Sequence, residues 1–130
     1  MAGSKSNFHE NAVLDAYLSG ATVYLALCTA DPGEACTGAS CNETANAAGY
    51  ARQLITFSAA ASGSSSNSAT VTFPTATSKY GAPITHWAIV TSATYGAGNV
   101  RYYGSFNTSK SYSTDDIPQI AAGGITITEG

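Results

Sequence analysis

Charge is what this 130-residue sequence has least of: Asp, Glu, Lys and Arg together make up 10% of it, against roughly one quarter in ordinary soluble domains. Five basic residues (Lys5, Arg52, Lys79, Arg101 and Lys110) are scattered among eight acidic ones, for a formal net charge of -3. No cluster exists to neutralise a run of phosphates, which argues against nucleic acid as a partner. No apolar run approaches the roughly 20 residues that a membrane-spanning helix needs. The opening MAGSKSNFHENA lacks the apolar core of a secretion signal, so the expectation is synthesis and retention in a cytoplasm unless the protein leaves within an assembly. Also missing are a glycine-rich phosphate loop before a helix and a G-x-S-x-G turn to present a nucleophilic serine. Without these parts the expectation is a non-enzyme with no cofactor.

Cysteine is scarce and odd in number: Cys28, Cys36 and Cys41. Three readings stand. All three are inert thiols; or Cys36 and Cys41, which bracket the short loop CTGASC, close a small disulfide ring; or Cys28 is left to bridge a neighbouring chain. A zinc site from the three sulfurs with His9 or His86 is a further alternative, but no C-x2-C knuckle is present. His86, beside the lone Trp87 in a strand-like stretch, reads as a structural residue. Asp115 and Asp116 are adjacent, so in a strand they point to opposite faces and cannot share a proton. They read as a turn, with weak calcium binding a lesser option. Asn42-Glu43-Thr44 and Asn107-Thr108-Ser109 fit the glycosylation pattern only by coincidence in a chain without a secretion signal.

What is present is mostly strand and turn. Ser6–Leu18 has Phe8, Ala12, Leu14 or Asp15, and Leu18 near helical spacing, Ser6 or Asn7 as an N-cap and Ser19-Gly20 as a stop, which predicts a short helix. Thr22–Glu34, TVYLALCTADPGE, is apolar on both faces up to Ala30-Asp31-Pro32-Gly33 and reads as the central strand. A long loop follows to Gly49, and loops of this length are uncommon unless functional or tied down. Tyr50–Phe57 reads as a strand with Ile55 and Phe57 on one face and Leu54 on the other. Ser58–Ser68, nearly all Ser, Ala, Gly and Asn, reads as a solvent-exposed hairpin tip with nothing to anchor a core. Val71 and Phe73 point inward from Ala69–Phe73, and Ile84–Val90 is a second strand buried on both faces. In Asn99–Asn107, Val100, Tyr102 and Phe106 oppose Arg101, Tyr103 and Ser105. Tyr112–Ile120 allows at most a short edge strand around Pro118. Ile125 and Ile127 alternate with Thr126 and Thr128 at the end. About seven short strands behind one helix predict a mainly β fold, an antiparallel sandwich or jelly-roll-like barrel. Residues 1–20 read as a helical arm and 21–130 as a single β-sandwich domain.

The order of these segments resembles a group of small tailed-phage virion structural proteins. The residues that carry the likeness are NAVLDAYLSG (11–20), VYLALCTADPGE (23–34), GYARQLITF (49–57), NSATVTFPTAT (67–77), ITHWAIV (84–90), YYGSF (102–106) and AAGGITIT (121–128). They span nearly the full length, and it is their combination and order that is specific. This chain departs from the group in the cysteine-bearing stretch CTGASCNETANAAG (36–49), where the family pattern is a shorter Gly/Glu segment.

Some members of the group are described as tail-fibre proteins, and similar small β-domains serve as capsid decoration or cement proteins. The resemblance therefore implies a virion part used in many copies. The first expectation is a capsid decoration or cement protein, a homo-oligomer gripping copies of itself and major capsid or tail proteins through repeated weak contacts. The alternative is a tail, neck or fibre component that contacts a host glycan or protein. Eight tyrosines in a charge-poor chain suit the second reading, since tyrosine combines apolar area with a polar tip. Of Tyr102 and Tyr103, adjacent in one strand, at least one is expected to face outward.

Overall fold

The computed structural model describes residues 3–129. The fold is mainly β: one N-terminal helix, α1 (Asn7–Leu14), runs into a π-helical turn at Asp15–Ser19, and eight strands follow. In chain order these are β1 (Val23–Cys28), β2 (Gln53–Ile55), β3 (Ser64–Ser66), β4 (Val71–Thr72), β5 (Ile84–Val90), β6 (Val100–Lys110), β7 (Gln119–Ile120) and β8 (Thr126–Thr128). They form a four-stranded sheet in the order β2-β1-β5-β6 and two ladders, β3-β8 and β4-β7. No closed barrel is formed among the described residues, which removes the jelly-roll barrel from the two architectures expected.

The chain gathers into two compact units. One comprises the described residues up to Thr22, Ile55–Val71 and those from Ile120 onward; the other comprises Val23–Leu54 and Thr72–Gln119. The second holds the large sheet, and β1 is interior to it as the doubly apolar pattern predicts. β1 pairs antiparallel with β5, Leu25 opposite Ile89, Leu27 opposite Trp87 and Cys28 opposite His86. Opposed residues share a face, so one side carries Leu25, Leu27, Trp87 and Ile89 and the other Ala26, Cys28, Ala88 and Val90. On β6 the half-buried residues are Val100, Tyr102, Gly104 and Phe106 and the exposed ones Arg101, Tyr103 and Ser105, the alternation expected. The strand continues to Lys110 through a large bulge: Ser105 faces His86 and Lys110 faces Ile84, so Phe106–Ser109 stand opposite Thr85 alone.

In the first unit, Ser6 caps α1 by accepting the His9 N–H, as its position predicts. The buried stripe keeps Leu14 and Leu18 of the expected one but not Phe8 or Ala12. Glu10, Leu14 and Leu18 are inward, while Phe8 is 83% exposed. Glu10 lies beside Gly63, and the Gly63 N–H donates to Asn11 Oδ1 at 2.9 Å, so polar contacts with the serine segment set the rotation of the helix.

That serine segment is the clearest correction to the sequence reading. Ser58–Ser68 is no loose hairpin tip: Ser64–Ser66 pair with Thr126–Thr128, and Ser65 and Asn67 are buried. Hydroxyls supply what apolar side chains do not. Ser58 Oγ donates to the Ser66 carbonyl and Ser65 Oγ to the Ser58 carbonyl, while Ser66 and Thr126 hydroxyls meet at 2.9 Å. Asn67, 2% exposed, donates from Nδ2 to the Ala69 and Ala121 carbonyls and accepts the Ile125 N–H on Oδ1. Ile125 and Ile127 are buried as their alternation predicts.

Candidate functional site

The most heavily built polar site lies in the second unit, on the stretch Gly49-Tyr50-Ala51-Arg52. In extended backbone, residues two apart share a side, which sends Tyr50 and Arg52 inward and Ala51 outward. Gly49 sits at φ 81, where a Cβ would be strained and would also meet the Thr75 carbonyl at 3.0 Å. The Arg52 side chain is completely covered, and each of its five N–H donors has an acceptor. Nε donates to Glu43 Oε2 at 2.9 Å and Nη2 to Glu43 Oε1 at 2.8 Å. Nη2 also reaches the Gly38 carbonyl, and Nη1 reaches those of Ser92 and Ala97. One guanidinium thus clips the loop before Glu43 and the β5–β6 connection to the strand edge.

Tyr50 completes the clip. Its hydroxyl accepts the Leu27 N–H from β1 at 3.1 Å and donates to Glu43 Oε2 in a short contact. Its ring stacks on Phe73 and meets the edges of Tyr80 and Tyr95. Burial, then the Glu43 carboxylate, pushes the Tyr50 phenol well above its ordinary range. Burial alone would lower the Arg52 pKa, but the hydrogen bonds and charge of Glu43 outweigh it and hold the cation. Buried ion pairs persist only with such complete pairing. Its carboxylate and cation are engaged with each other, so the arrangement fixes loops.

Beside the clip lie the three cysteines, all free thiols. Backbone bonds from Thr29 N–H to the Asn42 carbonyl and from Thr44 N–H to the Leu27 carbonyl bracket Cys28 and Glu43 as an antiparallel pair. Cys41, two residues earlier, joins Cys28 in a buried cluster with Ala26, Ala88 and Val90, and Cys36 packs against its edge. Cys28 is fully covered and Cys41 is 1% exposed, whereas Cys36 is half-buried. Cys28 and Cys41 hydrogen-bond to each other, which pushes the Cys28 thiol up, with burial adding to it. The same bond pulls Cys41 down to about 7, Arg52 helping and burial opposing. Burial raises Cys36. Sequence spacing brought Cys36 and Cys41 together; the fold also brings Cys28 to Cys41, and leaves no Cys28 surface facing outward for a neighbouring chain.

Residues 4–128 match the family model described as podophage GP4 fiber I protein gp80. The chain belongs to the gp80 family. It is therefore a structural protein of a tailed-phage virion, as the order of its motifs indicated. No curated protein matches the chain.

Within this gp80-family fold the other singled-out residues have structural surroundings. His86 shares a 2.8 Å hydrogen bond between Nδ1 and the Thr85 hydroxyl, and His9 is exposed on α1. Among the described residues no group of three or more His, Cys, Asp or Glu is placed to hold a metal ion, so the sulfur–histidine zinc site does not assemble. Asp115 is in the left-handed region at φ 73, and Asp116 accepts the Ser113 N–H at 2.7 Å, which is the turn expected. Tyr103 is 40% exposed and Tyr102 half-buried, so the outward member of that pair is Tyr103. Tyr95 is also partly exposed, with its hydroxyl donating to the Thr44 carbonyl. Sequence reasoning missed Arg52, Glu43 and Asn67. The available signal was Arg52 alternating with Tyr50 ahead of a strand, a cation placed on the inward side.

Proposed function

We propose that this chain is a non-catalytic structural subunit of a podophage fibre, held in the virion by copies of itself and neighbouring tail proteins. The observation that carries this is the match of residues 4–128 to a family described as a fibre protein, which accounts for the whole described fold and not a fragment of it. The geometry agrees with a building block: the Arg52–Glu43 charges are spent on each other and on loop carbonyls, and the half-exposed tyrosines Tyr95 and Tyr103 offer apolar area with polar tips for a protein or glycan partner. Capsid decoration, the first expectation from sequence, has no comparable support.

Cryo-electron microscopy of intact virions carrying this chain with a C-terminal gold-binding tag tests the reading. Label on the fibres is the expected result. Label spread over the capsid lattice would replace the fibre assignment with decoration, and label absent from purified particles would overturn both.

A further inference from the structure

We propose that Cys28 and Cys41 are an oxidisable pair that a small-molecule disulfide converts to an internal crosslink, with Cys36 as the thiol through which oxidation enters. This goes beyond the fibre reading and does not depend on it. The antiparallel crossing at Cys28 and Glu43 fixes the β1 end against the loop, with the Thr29–Asn42 and Thr44–Leu27 bonds at 2.9 and 2.8 Å on either side. Cys28 and Cys41 are enclosed in one cluster, and Cys36 alone of the three is open to solvent while packed against it. A reagent the size of glutathione disulfide reaches only Cys36; the deeper pair must be reached by exchange.

The steps balance. Cys36 loses its proton to solvent and attacks one sulfur of the external disulfide, forming a mixed disulfide and releasing one external thiolate. Cys41 loses its proton to solvent, and its Sγ, hydrogen-bonded by the Cys28 thiol, attacks Cys36 Sγ; a Cys36–Cys41 bond forms and the second external thiolate leaves. Cys28 then gives up its proton and attacks Cys41 Sγ, forming Cys28–Cys41, and the Cys36 thiolate that departs takes a proton back. In total Cys28 and Cys41 lose two electrons and two protons, and one external disulfide becomes two thiols. The final bond is sealed from the released thiols, whereas Cys36–Cys41 faces them, so exchange drains toward the buried link. An odd number of cysteines is then what a relay needs, two to be joined and one to pass the bond inward.

The test incubates the folded full chain with glutathione disulfide, quenches in acid, alkylates and digests after glutamate. Cleavage at Glu10, Glu34 and Glu43 separates Cys28 (residues 11–34) from Cys36 and Cys41 (residues 35–43). The expected product is 11–34 joined to 35–43 with the alkyl group on Cys36, whereas an alkyl group on Cys41 would place the bond at Cys28–Cys36 and overturn the proposal. Cys36→Ser, confirmed as folded by its melting curve, forms the same link severalfold more slowly, and Cys36→Ala serves in its place should the serine not fold. Cys28→Ser stops at an internal link within 35–43. An end product linked within 35–43 in the unaltered chain, an unchanged rate without Cys36, or no link at all would overturn the proposal.

Discussion

At the scale of single residues, stability is concentrated in the Arg52 clip. Removing one partner of a buried ion pair strands the other, a loss of about 3–5 kcal/mol. Arg52→Met should cost that much in urea unfolding, because Glu43, with a side chain only 4% exposed, is left buried without the guanidinium donors that satisfied both its oxygens. Arg52→Lys should recover little, since an ammonium cannot reproduce five planar donors. Pairing Arg52→Met with Glu43→Gln should cost less than the sum of the two, the signature of a shared interaction. Alkali probes the same site. Tyr50, Tyr80, Tyr95 and Tyr112 are all held above the ordinary phenol range, by burial first in each case. The unfolded chain ionises these groups at about pH 10 while the folded one still holds their protons. Their contribution is therefore fully present below that pH and is lost as pH rises beyond it. Thermal stability should fall steeply as pH enters the phenol range, with Cys28 and Cys36, whose thiols are also held up, adding to the fall from the thiol range onward. Tyr50→Phe should lower the melting temperature at neutral pH, because the Leu27 N–H loses its acceptor, yet flatten the alkaline fall; an alkaline slope unchanged in that variant would remove Tyr50 as its source. Of this clip, only the alternation of Tyr50 and Arg52 was legible in advance. Tyr50 and Arg52 read as strand residues and Glu43 as part of a loop, and periodicity says nothing about which loop charge reaches which strand.

At the scale of elements, what was legible is what burial alone determines. β1, β5, the alternation of β6 and the Ile125–Ile127 pair all follow from apolar spacing, and the structure places them as that spacing requires. β3 was not legible, since its order comes from hydroxyl and amide hydrogen bonds in a sequence that looks like flexible linker. The helix was legible in its existence and at Leu14 and Leu18 but not in its first turns: Phe8 is exposed and Glu10, beside Gly63, is inward. The β5–β6 pairing allows a sharper test. A Cβ on Gly104 would stand 2.6 Å from Trp87 Cζ2, against a ring that is itself buried. Overpacking of this kind costs about 1–3 kcal/mol. Gly104→Ala should be destabilised by that amount in urea. Gly81→Ala, with open space around its Cβ, should unfold at the same midpoint as the parent or slightly above it. Equal effects in the two variants would mean that backbone entropy, and not the Trp87 contact, keeps Gly104 a glycine.

At the scale of the whole molecule, the scarcity of charge decides how the protein can hold its neighbours. Of only five basic residues, Arg52 is buried with Glu43 and Lys5 is paired with Glu129. What remains facing outward is largely hydroxyl, amide and scattered tyrosine, groups whose contacts do not weaken with ionic strength. Salt shortens the reach of exposed charges from roughly 10 Å at 0.1 M to roughly 3 Å at 1 M, and leaves apolar and neutral hydrogen-bonded contacts in place. If the chain sits in a virion through such contacts, raising sodium chloride over that range should leave its content in pelleted particles unchanged. Urea at concentrations below those that unfold the isolated chain should release it, because urea solvates both apolar and peptide groups. Release by salt alone would show that the attachment runs through charged residues, and the exposed Lys79 and Lys110 would be the side chains to replace first.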